Sequence, residues 1–370
     1  MLVPPAAVPG RPGRTFGRRR AYLALLALGG LAVVAALASA FVGTVPIPPA
    51  AVGQILTHEF TGSALVAADC PATIAPSRCA TLVTIVWQIR FPAILLALVA
   101  GAALGVSGGT LQGVFRNPLA DPYLFGLSAG AAVGAAGLYV FNFGIQEANL
   151  TLPLFAFLGA LLTGVAILAI AGGRWSSVET LLLSGVALSY LLSGVLSVML
   201  LYNPFGSFQV SFWLLGGLNG ATWGRVGVAF GGLLVAATVL VVQARQLNLL
   251  QLGEEVAQSL GVDTKRLRTR LVLLASFATA IAVAFTGVIG FVGLVSPHIV
   301  RRLFGADYRV VLPGAAIVGA LFLLGASDLA QVVIPATTLP VGILTAFAGA
   351  PFFLLLLQRR RRRASGASPA

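Results

Sequence analysis

Between two long apolar runs the chain carries Arg116-Asn117-Pro118-Leu119-Ala120-Asp121-Pro122, whose residue types can build a rigid turn rather than a reaction centre. Each proline fixes φ and removes a donor, while Asn117 and Asp121 can accept from backbone N–H groups just ahead of them. Residues preceding proline avoid the α region, so Asn117 and Asp121 are expected to be extended. A second polar stretch, residues 248–270, places Leu249, Leu252, Val256 and Leu260 on one side at helical spacing, with Glu254 and Glu255 among them. Gly261 breaks that helix, and Asp263 or Thr264 can cap a following one. A short helix pair of this kind is what a rigid mechanical coupling needs. A helix lying on lipid would instead favour Lys or Arg on its polar face, which two adjacent glutamates oppose.

Other chemistries lack their residues. Lys265 is the only lysine and no G-x-x-x-x-G-K-[ST] surrounds it, so the chain has no P-loop to cradle ATP phosphates. There is no nucleophile elbow or zincin motif, and neither His58 nor His298 has a companion at metal-ligand spacing. Cys70 and Cys79 fall on one stretch expected outside the membrane, where they either bridge or remain free thiols. Gly185, Ser189, Ser193 and Ser197 recur at i, i+4 and form a small, weakly polar stripe. It suits a lined passage and close helix packing equally.

The elements that must hold these residues follow from composition. With 58% hydrophobic and 9% charged residues, and mean hydropathy of +0.98, the chain has too much apolar surface for a soluble core. It reads as an all-α, polytopic membrane protein. Apolar runs long enough to cross the bilayer lie at 21–42, 91–114, 123–143, 152–171, 180–201, 226–242, 310–329 and 339–357. Residues 271–299 must leave and return between basic flanks, as two short or broken helices meeting at a Gly-rich bend shielded by protein. That makes ten crossings.

Basic residues set the topology. Residues 1–20 are expected to form a disordered basic cytoplasmic tail, and Arg359 to Arg363 a second one, with the membrane domain between them. The first run is longer than a secretory h-region, which favours a retained span over a cleaved signal despite Ala38-Ser39-Ala40. On this map residues 43–88 are an exterior loop and 245–270 a cytoplasmic segment. Only Arg78, Arg90 and Arg225 of the 23 basic residues face outward. The net charge of +13 is thus a topology signal; no aromatics interleave the arginines, and no nucleic-acid partner is expected.

The stretch RNPLADPYLFGLSAGAA at 116–132 closely resembles the signature of the FecCD-type permeases, membrane subunits of ATP-driven importers for iron chelates, haem and cobalamin. GEEVAQSLGVDTKRLR at 253–268, GFVGLVSPHIVRR at 290–302 and LPVGILTAFAGAPFF at 339–353 resemble it further, in order. The resemblance implies an ABC importer type II permease fold in a prokaryotic cytoplasmic membrane. It implies a second permease subunit, identical or alike, and two ATPase subunits that hold ATP and Mg. It also implies an extracytoplasmic substrate-binding protein, and no cofactor on this chain. Carried over by position, Asn117 and Leu119 would form the cytoplasmic gate. Glu254, Glu255, Leu260 and Gly261 would contact the ATPase, and Ser189, Ser193 and Ser197 would line the path.

Some positions depart from the family pattern. R-x-P-R becomes Arg90-Phe91-Pro92-Ala93, and near the last span Gln331 and Thr338 stand where the pattern has Arg and Glu, with Asp328 one place off. Arg90 is then the remaining basic contact expected for a binding protein. The cargo implied is an iron chelate such as a siderophore, with cobalamin or haem as alternatives. A proton-coupled carrier, the rival of another class, would rest on Asp328 and Glu179 alone, a thin relay. A receptor or structural subunit would need no ATPase.

Overall fold

In hydrocarbon a backbone must satisfy its own N–H and C=O groups, and helices do so within one segment. The computed structural model describes residues 18–61, 76–140, 150–171, 178–202, 204–334 and 337–364, and its regular elements are helical. Before the polar turn come α1 (Arg18–Ser39), α2 (Pro49–Thr61), α3 (Pro76–Val83) and α4 (Phe91–Val114). After it come α5 (Leu127–Val140), α6 (Thr151–Ile170), α7 (Val178–Tyr202), α8 (Pro204–Leu214) and α9 (Trp223–Val242). The short α10 (Ala244–Gln251) and α11 (Glu254–Ser259) precede α12 (Thr264–Thr286), α13 (Val292–Phe304), α14 (Tyr308–Val332) and α15 (Val341–Ala364).

Among the described residues, seven helices are long and apolar enough to span a membrane. The shorter apolar α5 and α15 and the half-length α13 complete the expected ten. The helix α4 is the post around which the others stand, buried along nearly its whole length. It packs on α14, α12, α13 and α9. Small residues make this possible: a Cβ on Gly105 would overlap the Ala315 carbonyl of α14. Close approach of this kind holds membrane helices together where lipid tails remove the hydrophobic drive. Ser107 Oγ adds a hydrogen bond to the Ala275 carbonyl of α12 at 2.8 Å. The glycines after the polar turn allow the same close approach, with Gly130 and Gly134 against Gly159 and Phe155 of α6.

Three expectations need correction. The expected exterior loop at 43–88 contains α2 and α3, and α3 runs through a π-helical turn, Thr84–Arg90, into α4, so that helix is continuous from Pro76 to Val114. The widened turn lies just before Pro92, which cannot donate to the carbonyl four residues back. Trp87 stacks near Phe91 and Trp223 there, with ring centroids 5.3 and 4.7 Å away, an aromatic anchor at the end of the bundle opposite the polar turn. The expected loop between the spans at 180–201 and 226–242 also contains α8.

The third correction concerns residues 271–299. The helix α12 is a full span of 23 residues, and only its return partner, α13, is short, at 13. The Gly-rich bend between them is as expected: Gly287 adopts φ +68 with a protein carbonyl where a Cβ would stand. Protein shields its backbone, since Gly217 N–H donates to the Thr286 carbonyl at 2.8 Å and Ile289 is fully buried. Cys70 and the side chain of Cys79 lie outside the described residues, and so does the bridge expected of them. The arginine block at 359–363 continues α15 as helix.

Candidate gate and docking segment

The polar turn is built from two Asx turns, each on the residue before a proline. Asn117 Oδ1 accepts from Leu119 N–H at 3.0 Å, and Asp121 Oδ1 accepts from Tyr123 N–H at 2.8 Å. Asp121 is extended, at φ −128 and ψ 139, as a residue preceding proline should be. Arg116, in the left-handed region at φ 48, turns the chain back from the end of α4, and Pro118 projects from the loop with Leu119 half-buried beside it. The far side of the loop is pinned to the broken-helix pair, because Ile289 N–H donates to Tyr123 Oη at 2.7 Å. Rigid turn and Gly-rich bend are thus one connected structure.

The candidate docking segment, α10 and α11, buries one apolar side and leaves a second one uncovered. Leu247, Leu250 and Ala257 face the spans, but Leu252, Val256 and Leu260 are 63%, 44% and 57% exposed. Glu255 is exposed beside them, and Gly261 ends the segment at φ +82. Glu254 is placed differently from the sequence expectation. Its half-exposed side chain is turned to α12, with Oε2 3.0 Å from Arg268 and Oε1 accepting from Thr264 Oγ1 at 3.1 Å, so it braces α11 on α12. Asp263 caps α12 by accepting from Arg266 N–H.

The serine stripe is brought only partly to this region. Ser189 sits against Gly126, at the end of the polar turn, whereas Ser193 and Ser197 lie on an exposed face of α7 with Tyr190 and Leu191. The hydroxyls of Ser189 and Ser197 bond the carbonyls of Gly185 and Ser193, which leaves the stripe only weakly polar.

Arg90, expected as a docking charge, is engaged within the protein. It is 7% exposed, and its guanidinium donates to the carbonyls of Ala40 and Val45, closing the turn after α1. A charge at the end of an apolar run reads as outward-facing in sequence, but open carbonyls nearby offer it better partners than water. Arg90→Met is therefore expected to lower unfolding stability by about 2 kcal/mol, from carbonyls left unpaired. The salt dependence of binding-protein affinity should stay as in the wild type; a changed salt slope would restore Arg90 to the contact.

Ala93, Gln331 and Thr338, the positions that depart from the family pattern, all line one cavity of about 230 Å³. It opens between α1, α4, α14 and α15 at the end of the bundle opposite the polar turn, with Asn219 reaching Thr338 at 3.5 Å. Asp328 is occupied nearby, accepting from Ser39 Oγ at 2.5 Å. Sequence reading missed one further link: Gln112 of α4 donates to the Gly293 and Leu294 carbonyls at 3.3 Å and accepts from Arg301. An amide and an arginine within apolar runs were the available signal. Among the described residues no three His, Cys, Asp or Glu side chains converge as metal ligands would.

The model of the FecCD transport family matches residues 31–359. The chain belongs to the FecCD transport family. Curated relatives include the cobalamin import system permease protein BtuC of Halobacterium salinarum, 44% identical over 74% of this chain and 73% of its own length. The hemin transport system permease protein HmuU of Yersinia pestis is 42% identical over 73% and 82%. The Fe(3+)-citrate import system permease protein YfmE of Bacillus subtilis is 39% identical over 73% and 80%. A solved chain described as an inward-facing conformation of a metal-chelate type ABC transporter superposes with TM-score 0.77 at 29% identity, covering 91% of this chain and 99% of its own. This FecCD protein is a multi-pass permease of an ABC importer in a prokaryotic plasma membrane, in a family whose ATP hydrolysis lies on separate subunits.

Proposed function

We propose that the chain is the permease of an iron-chelate importer, working as a pair of like permease subunits. Two ATPase subunits sit on the docking segments, and an extracytoplasmic binding protein sits at the opposite end. Both termini and the polar turn are then cytoplasmic. The observation that carries this reading is the segment's outer side, where Leu252, Val256 and Leu260 are left uncovered while polar side chains hold the segment to the spans. Exposed apolar residues fixed in place suit a protein partner, and the neighbouring Glu255 offers a charge to its rim.

On the cargo, the iron chelate rests on the Fe(3+)-citrate relative and the metal-chelate neighbour. The cobalamin and hemin relatives support those cargoes to the same degree. Proteoliposomes with the cognate ATPase and binding protein, offered ferrichrome, ferric citrate, haemin and cyanocobalamin separately, decide the matter. An iron chelate is expected to enter at least about tenfold faster than the others. Preferential uptake of haemin or cyanocobalamin would replace the proposed cargo and leave the permease reading intact.

In operation, ATP binding would move the docking segments and the polar turn would open and close the cytoplasmic end. Leu119→Cys on paired subunits is then expected to cross-link in one nucleotide state and not in the other. Equal yields with and without ATP would make the turn a static loop.

A further inference from the structure

Asn248, Gln251 and Glu254 recur at three-residue spacing along the docking segment, and each reaches a different spanning helix. Asn248 Nδ2 donates to Asp307 Oδ1 at 2.7 Å and its Oδ1 accepts from Tyr308 N–H at 2.9 Å, clasping the start of α14. Gln251 Nε2 donates to the Gly113 carbonyl at 2.8 Å, in the last turn of α4. Glu254 pairs with Arg268 and Thr264 at the start of α12. Apolar contacts alone let a short helix slide, whereas directional bonds to three separate helices fix its orientation as well as its position.

The middle attachment leads to the gate. Arg116 N–H bonds the same Gly113 carbonyl, and Asn117 N–H bonds the Gln112 carbonyl one residue earlier. A displacement of α10 therefore reaches the first residues of the polar turn through one hydrogen-bonded turn of α4. We propose that Asn248, Gln251 and Glu254 are a positioning triad that makes the docking segment a lever on α14, α4 and α12, with the Gln251–Gly113 bond moving the gate. The triad acts through the spans and touches neither cargo nor nucleotide. The inference rests on the docking reading above, since a lever needs a partner to push it.

The test uses the permease assembled with its co-expressed ATPase, in a Cys70→Ser, Cys79→Ser background carrying Leu119→Cys. Three quantities are read: ATPase retained, melting temperature, and the change in cross-linking on adding ATP. Gln251→Met keeps the shape of the side chain but removes the donor. It is expected to retain the ATPase and the melting temperature while the ATP-driven change falls about tenfold. Gln243→Met, whose amide reaches only its own helix at Val239, is expected to behave as the parent. Arg268→Glu should lose the response similarly, and Glu254→Arg with Arg268→Glu should recover most of it. A full response in Gln251→Met overturns the proposal, as does an exchange variant no better than Arg268→Glu. A merely structural role would lower retention and melting along with the response, which also overturns it. If the parent binds ATPase but its gate ignores ATP, the gate reading fails and the lever with it; if the parent retains no ATPase, the docking reading itself is wrong.

Discussion

Aspartate at both Val256 and Leu260 is expected to strip the ATPase from the permease and abolish ATP-dependent uptake, while the permease itself remains inserted and folded. Both side chains are substantially exposed, so the change costs the isolated chain little. In the complex each position would place a carboxylate in a desolvated contact, where a lost apolar anchor alone costs about 2 kcal/mol. Two such losses weaken association roughly a thousandfold. Affinity purification of the ATPase with the tagged permease measures this directly, and retention at the parental level would remove the docking surface. Glu255→Lys, at the rim of the same surface, should weaken retention by less. Glu254→Lys should act differently, through the brace to Arg268, retaining ATPase but losing the gate response.

Leucine at Gly105 is expected to prevent folding altogether. The Cβ alone would overlap the Ala315 carbonyl, and that carbonyl belongs to the backbone of α14, which cannot yield without parting from α4. Overpacking in a core that can relax costs about 1–3 kcal/mol, and here nothing flexible is available, so the upper end or more is expected. Gly325→Ala provides the contrast on the same helix pair, since nothing lies within 4 Å of a Cβ built there. Size-exclusion profiles and melting of detergent-extracted protein should show Gly325→Ala as a sharp, native species and Gly105→Leu as aggregate. A folded Gly105→Leu protein would mean that α4 and α14 can separate, contrary to the packing described.

Spans were legible because hydrophobic run length alone reports them: the runs at 152–171 and 226–242 match α6 and α9 to within a few residues at each end. The Asx turns of Asn117 and Asp121 were legible too, since a side-chain acceptor followed by proline leaves the local backbone few choices. What could not be read was direction. Arg90 sits at the end of an apolar run in sequence, and only the fold shows the Ala40 and Val45 carbonyls that take its guanidinium inward. Glu254 and Glu255 are adjacent and chemically alike, yet one braces α12 and the other faces out. Likewise the leucine side of the docking segment is apparent from its period, but the period does not say whether the protein or a partner covers it. The continuous helix through Thr84–Arg90 was masked by Gln88 and Arg90, whose polarity suggested a loop end where a π turn carries the helix on.

The central claim is that transport through this permease is driven by ATP at the docking-segment face rather than by an ion gradient. The most direct measurement reconstitutes permease, ATPase and binding protein in proteoliposomes, and follows entry of ferrichrome, haemin and cyanocobalamin under two regimes. One supplies ATP on the side of α10 and α11 with the proton gradient collapsed by an uncoupler; the other imposes a pH gradient without ATP. Accumulation of one of the three in the first regime and none in the second is the predicted result. Accumulation driven by the pH gradient alone, undiminished by aspartate at Val256 and Leu260, would contradict it.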